Sequence, residues 1–245
     1  MNQSTTQPAP PEYLHPDIWR ASQLARSTTR CVDTGFPVLS TQLGGTGWPT
    51  STLIDLLVQQ AGIGEMRLLA PALGRVAHKK VVFLEPPHAP QALGLAGMGI
   101  MPQDVIWVKG KTTADALWAA EQVLRSGSCG ALLFWVKHVR NESLRRLHLA
   151  AQAGETLFYV LRPLSAVQDA SPAPLRLALR PADGGIEIDF VKRRGPQRDK
   201  PMFLPLTTPG LTPTRRHAPT PEPVLAPVEA HDLPRELALL SASPD

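Results

Sequence analysis

Four almost uninterrupted apolar runs recur along the chain: TLIDLLV (52–58), VVFLE (81–85), GALLFWV (130–136) and TLFYVLRP (156–163). Their alternation with amphipathic segments constrains the fold more than any other feature. A strand that is apolar at nearly every position must be covered on both faces, which happens where helices cross over a parallel sheet. The intervening segments GEMRLLAPALGRVAHK and TTADALWAAEQVLRSG carry apolar residues at helical spacing, with Thr113 the expected N-cap of the second, before Asp115. NESLRRLHLAAQAG reads as a third long helix, capped by Asn141 and stopped by Gly154. PHAPQALGLAG and DVIWVKG add a short helix and a short strand. The predicted class is α/β, a mostly parallel sheet flanked by helices.

Beyond residue 163 the rhythm changes. PLRLALRPADGGIEIDFVKRR holds two strand-like segments around Asp183-Gly184-Gly185, a hairpin signal. MFLPL suits an edge strand, because Pro205 would interrupt a central one. At the other end, PDIWRASQLAR predicts a short amphipathic helix with Asp17 near its start. TGFPVLSTQLGGTGWPTST holds too many glycines and prolines to sustain a helix, and predicts an ordered loop leading into the first core strand. Much of the chain's complement of 26 prolines lies near its ends, so the ordered domain is smaller than 245 residues. The expected organisation is a disordered N-terminus (1–12), a helix and linker (13–33), a core (34–206) and a proline-rich flexible tail (207–245). The tail contains one helical stretch at LPRELALL.

Charge and reactive side chains narrow the function. A net charge of +4 permits contact with nucleic acid or an acidic partner and argues for neither. Cys31 and Cys129 have no metal-ligand spacing and read as small core residues in a reducing cytoplasm. His78, His88 and His148 are far apart without ligand spacing, so no metal is assigned. MNQSTTQPAPPEYL lacks the basic and apolar regions of a signal peptide, and no apolar run reaches the roughly 20 residues that cross a bilayer.

One junction has the build of a phosphate site. TLIDLLV runs into the glycine-bearing loop QQAGIG and then into a helix, the arrangement that aims free N–H groups at an anion. After Gly62 and Gly64, however, stand Glu65 where such a loop needs lysine and Met66 where it needs a hydroxyl. A carboxylate about 4 Å from a phosphate charge is repelled by roughly 4 kcal/mol at an effective dielectric near 20. Without a resemblance to guide it, the loop also has a plainer reading, in which Glu65 complements the helix dipole.

The order of parts resembles the RecA-like recombinase core over about residues 34–206. TGFPVLSTQLGGTGWPTSTLIDLL is similar to that family's opening segment, LLVQQAGIGEMRLL falls on its Walker A loop, and GALLFWV on its Walker B strand. The resemblance implies a degenerate nucleotide site. Pro87 stands in place of the water-activating glutamate, with Glu85 two residues early, and Trp135 in place of the Walker B aspartate. It therefore implies a pseudo-ATPase with no catalytic residue and no bound cofactor. LHPDIWRASQLA, QAGIGEMRLLAPAL and RRLHLAAQAGETLFYVLRP further resemble the ImuA family, which is related to the division inhibitor SulA. Membership would imply an accessory role in SOS translesion synthesis beside an ImuB-like Y-family polymerase homologue and an error-prone C-family DNA polymerase. RecA or a second copy of the chain would be further partners, and direct DNA binding stays open. The alternatives are a SulA-like inhibitor that binds FtsZ and a residual nucleotide-binding switch.

Contact candidates follow from side-chain type. Ile18, Trp19 and Ala21 share a face or edge of the N-terminal helix, and tryptophan is enriched at binding hot spots as well as in cores. Lys192, Arg193 and Arg194 form a basic cluster with no interleaved aromatics, so they suggest phosphate or acidic-partner contact rather than base stacking. Leu237, Leu239 and Leu240 are the close-set large apolar residues of the tail and suggest a docking peptide.

Overall fold

The computed structural model describes residues 30–43, 47–195, 198, 200–206 and the backbone of 228–229. Ile18, Trp19, Ala21, Leu237, Leu239 and Leu240 lie outside the described residues. The chain enters through β1 (Cys31–Val32), α1 (Pro37–Gln42) and β2 (Trp48–Pro49), with β1 and β2 pairing as a two-stranded antiparallel ribbon. It continues through β3 (Thr52–Val58), α2 (Glu65–Val76), β4 (Lys80–Leu84), α3 (Ala92–Gly97) and β5 (Val105–Lys109). There follow α4 (Thr113–Ser126), β6 (Cys129–Trp135), α5 (Asn141–Ala151), β7 (Leu157–Pro163) and β8 (Leu175–Ala182). The last elements are β9 (Gly185–Lys192), β10 (Met202–Pro205) and β11 (Val228–Glu229).

Nine strands form one mixed sheet in the order β10-β9-β8-β3-β7-β6-β4-β5-β11. From β8 to β11 every pairing is parallel, while β8, β9 and β10 pair antiparallel. The apolar runs are central strands for the reason their composition gives: each face of the sheet is packed. Alternate residues of β3 point to opposite sides, so Ile54 and Leu56 join Leu68 and Leu69 of α2, while Leu53 joins Leu124 of α4 and Leu147 of α5. Burying one such leucine side chain contributes about 1.5–3 kcal/mol.

The structure revises several local readings. The segment expected as loop contains α1, because Pro37 sits at its first turn, where a missing N–H costs no helix bond and the fixed φ suits helix entry. Leu39 of this helix is fully buried. The cap of α4 is Thr112, one residue before Thr113. Thr112 Oγ1 accepts from Asp115 N–H at 3.2 Å, and Asp115 Oδ2 accepts from Thr112 N–H at 2.9 Å. Asn141 caps nothing: it is the first helical residue of α5, and the N-cap position falls to Arg140 with no side-chain bond. That helix ends at Ala151, short of Gly154, whose carbonyl instead accepts a 2.6 Å bond from the Ser51 hydroxyl. The β8–β9 hairpin turns at Asp183-Gly184, with Gly184 at φ +70° and Gly185 already in the strand. In the stretch read as flexible tail, Val228–Glu229 pairs parallel with β5.

Two polar features bear on the sheet, one within it and one against it. Asp55, wholly buried in β3, receives Arg162 Nε and Nη2 from β7 at 3.1 and 2.9 Å and Arg176 Nε from β8 at 2.9 Å. The remaining guanidinium donors reach Asp169 and the carbonyls of Ala166 and Val167. His148 of α5 lies beside the start of β3, just before the first β8 pair at Ile54, and its Nδ1 accepts from Leu53 N–H at 3.3 Å. Burial, and then the charge of Lys192, lower its pKa below the ordinary histidine value. The unfolded chain therefore binds this proton more readily than the folded one, so stability should fall as pH drops through about 6.5 and below. Urea midpoints compared at pH 7.5 and 5.5 should show that loss, and His148→Gln should reduce it.

Candidate functional site

The carboxyl ends of the parallel strands bring the residues of the predicted nucleotide site to one end of the sheet, whereas Lys192, Arg193 and Arg194 follow the antiparallel β9 at the other. At the carboxyl end β3 leads into residues 59–64 and then α2, the strand-loop-helix junction singled out in the sequence. Gly62 and Gly64 both adopt positive φ, +86° and +119°, conformations open to glycine and strained for most other residues. The turn they make folds Glu65 back on the loop. Glu65 Oε1 accepts the Gly62 N–H at 2.8 Å and Oε2 the Gly64 N–H at 3.2 Å, and the residue is only 3% exposed. The first intrahelical bond, Leu68 N–H to Gly64 O, follows at 2.9 Å.

The neighbours close this loop. Met66 is half-buried and packs against the core cluster. Arg67 Nη1 donates to the carbonyl of Leu206 at 3.3 Å, just past the end of β10. A methyl group on Gly64 would lie 2.7 Å from Leu206 Cδ1. Ile63 is buried in the same cluster as Leu206 and Ile186, which anchors the loop from below.

Across the sheet, Leu84 is in register with Val108 on one side and Phe134 on the other. Glu85 and Trp135, each one residue further on, therefore stand side by side at the strand ends. Glu85 holds φ +56°, rare for a residue with a side chain, and its Oε1 accepts from Gly110 N–H beyond β5. Strain of this kind costs about 1–3 kcal/mol and persists where surrounding bonds fix it. Glu85 is thus a tether between β4 and the β5–α4 loop, a role its sequence position did not reveal. Trp135 is half-buried edge-on to Phe83, ring centroids 5.7 Å apart, and its Nε1 is buried without a hydrogen-bond partner. Pro87 and His138 are exposed.

The basic cluster does not act as one patch. Arg193 turns inward: its Nη1 donates to the Gln42 carbonyl at 2.7 Å and to Gln42 Oε1 at 2.9 Å, and its guanidinium lies 4.8 Å from the Phe190 ring centre. Lys192 and Arg194 are exposed on either side.

At the opposite, amino end of the strands is a cleft of about 380 Å³ lined by Arg30, Cys31, Asp33, Arg75, His78 and Lys79, among others. Its charges are largely paired, Arg75 with Asp33 and Arg30 with Glu155. The Gly35 N–H, and then Arg75, hold the Asp33 carboxyl below its ordinary pKa. Cys129 is buried, with its thiol pushed up to about 11 by that burial, so it is not a nucleophile at neutral pH. Among the described residues no three His, Cys, Asp or Glu converge as a metal ion would require. No helix among them is long and apolar enough to cross a membrane.

No family model matches the sequence. Over 109 residues, 44% of this chain, it is 27% identical to the cell division inhibitor SulA of Edwardsiella piscicida, and the match spans 65% of that protein's length, a little under two thirds.

Proposed function

We propose that the chain is a SulA-related, non-enzymatic cytoplasmic protein with a RecA-like core, and that it serves as an accessory factor in damage-induced translesion synthesis. The observation that carries the non-enzymatic part of this reading is Glu65, while the translesion role rests on the ImuA resemblance. Its carboxylate holds the amides that a phosphate would need, in a loop with no lysine to balance a triphosphate. The other chemical positions agree: Met66 supplies no hydroxyl for Mg²⁺, Pro87 no base and Trp135 no metal-binding carboxylate. A chain without this machinery acts by contact. The partners proposed from the ImuA resemblance are an ImuB-like Y-family homologue and an error-prone C-family polymerase. Deleting the gene should reduce damage-induced mutation frequency without altering survival of undamaged cells, and unchanged mutagenesis would refute the assignment.

The SulA likeness favours a second reading, inhibition of cell division through FtsZ. Overexpression would then filament cells and purified protein would block FtsZ assembly in a sedimentation assay. Neither effect is expected of a translesion accessory factor.

Restoring one motif should not restore an ATPase. Glu65→Lys with Met66→Thr removes the repulsion and adds a Mg²⁺ ligand, so weak binding of a fluorescent ATP analogue is the expected gain. Hydrolysis should stay at background, since Pro87 and Trp135 still supply no carboxylate. Magnesium-dependent ATP hydrolysis by the wild-type protein would overturn the non-enzymatic reading.

A further inference from the structure

We infer that Glu65 is a built-in anion: it occupies, as a permanent intramolecular ligand, the amide cradle that the loop would otherwise present to phosphate. The inference deepens the reading of this loop as a retired nucleotide site and rests on it. A carboxylate in a nearly sealed site is costly unless charge or hydrogen bonds compensate it. No salt bridge among the described residues reaches Glu65. Its compensation is the pair of N–H bonds from Gly62 and Gly64 together with the amino end of the twelve-residue α2. These are the elements of an anion cradle, here two N–H groups on alternate residues turned inward by left-handed glycines. The cradle is filled: both carboxylate oxygens are engaged, one on each glycine amide.

The two rims of the loop differ. Over Gly64 the end of β10 is in contact, with Leu206 Cδ1 in the space a Cβ would take and Arg67 clasping the Leu206 carbonyl. Over Gly62 no atom lies within 4 Å of a built Cβ, and the residue is exposed. An external anion could reach the cradle from the Gly62 side once the carboxylate is gone, and only then. The chemical class that fits is a small oxyanion, inorganic phosphate or sulfate, rather than a nucleotide needing lysine and Mg²⁺.

The test uses the full chain and inorganic phosphate, with chloride at matched ionic strength as control. The wild-type melting temperature should respond to phosphate and chloride alike, within about 1 °C. Glu65→Ala should melt roughly 4 °C or more lower. Phosphate, but not chloride, should return at least half of that loss with saturation in the millimolar range, as binding to the folded state alone requires. In ¹⁵N spectra the Gly62 and Gly64 amides should move in the variant and return toward their wild-type positions as phosphate saturates. Should the alanine variant not fold, Glu65→Ser, which is also too short to fill the cradle, provides the same amide readout. A saturable phosphate shift in the wild type, or no phosphate-specific response in either variant, overturns the inference. That failure is separable from failure of the pseudo-ATPase reading, which Mg²⁺-dependent ATP hydrolysis by the wild type decides.

Discussion

Asp55→Asn is expected to destabilise the domain by about 3–5 kcal/mol, the usual consequence of removing one partner from a buried ion cluster. The side-chain shape is nearly unchanged, so the loss isolates the charge. Arg162 and Arg176, 1% and 7% exposed, would keep as acceptors the one amide oxygen of the new side chain, Asp169 and two backbone carbonyls, and would lose their buried counter-charge. Urea unfolding should show a lower midpoint with an unchanged slope. The cost lies in the stranded arginines rather than in any large net value of the cluster. Asp55→Leu combined with Arg162→Met and Arg176→Leu should accordingly bring stability back to within about 2 kcal/mol of wild type. A loss below about 1 kcal/mol for the single change would mean that water reaches the cluster.

Gly35→Ala should cost about 3 kcal/mol, from two sources. Gly35 has φ +79°, which an alanine adopts only under strain of about 1–2 kcal/mol. Its new Cβ would also lie 2.3 Å from Cβ and 2.7 Å from Cγ of Pro71, a rigid ring within α2, and overpacking of that kind costs about 1–3 kcal/mol. The two sources separate in a double-mutant cycle. In a Pro71→Gly background the Gly35→Ala change should retain the backbone strain and lose the clash, giving a coupling of at least about 1 kcal/mol. Additive effects would show that α1 shifts aside freely and that Thr34-Gly35 does not fix its approach to α2.

The strands were legible because each carries its signal locally: TLIDLLV or GALLFWV has nowhere to sit except between two covered faces. Their order was not. That β3 lies between β7 and β8 depends on contacts more than a hundred residues apart, for which no local pattern exists. Helix starts failed by one residue where neighbouring side chains compete. Thr112 and Thr113 are chemically alike, and only the backbone decides which one faces the Asp115 amide. At the candidate site the residue types were legible and their geometry was not. Glu65 read as a charge that would repel phosphate, whereas the folded loop turns it onto the two amides, a consequence of glycine dihedrals invisible in a string of letters. Asp55, Arg162 and Arg176 gave a signal that went unused, each being a charged residue inside an otherwise apolar strand. Arg193 read as one third of a basic patch, but its Gln42 and Phe190 contacts turn it back onto the protein.

The two flanks of the sheet differ in how they can be extended. A strand edge offers rows of open backbone donors and acceptors, and one molecule's sheet can grow onto another's unless something interrupts the row. On one flank β10 is four residues long and ends in Pro205, which has no donor to give. Growth there is limited by the covalent structure of the strand itself. On the other flank, among the described residues, β5 pairs with Val228–Glu229, a two-residue strand of this same chain. Another chain could join the sheet at β5 by trading places with that short segment, so extension there is a competition between chains, governed by concentration, whereas at β10 it is limited by the strand itself.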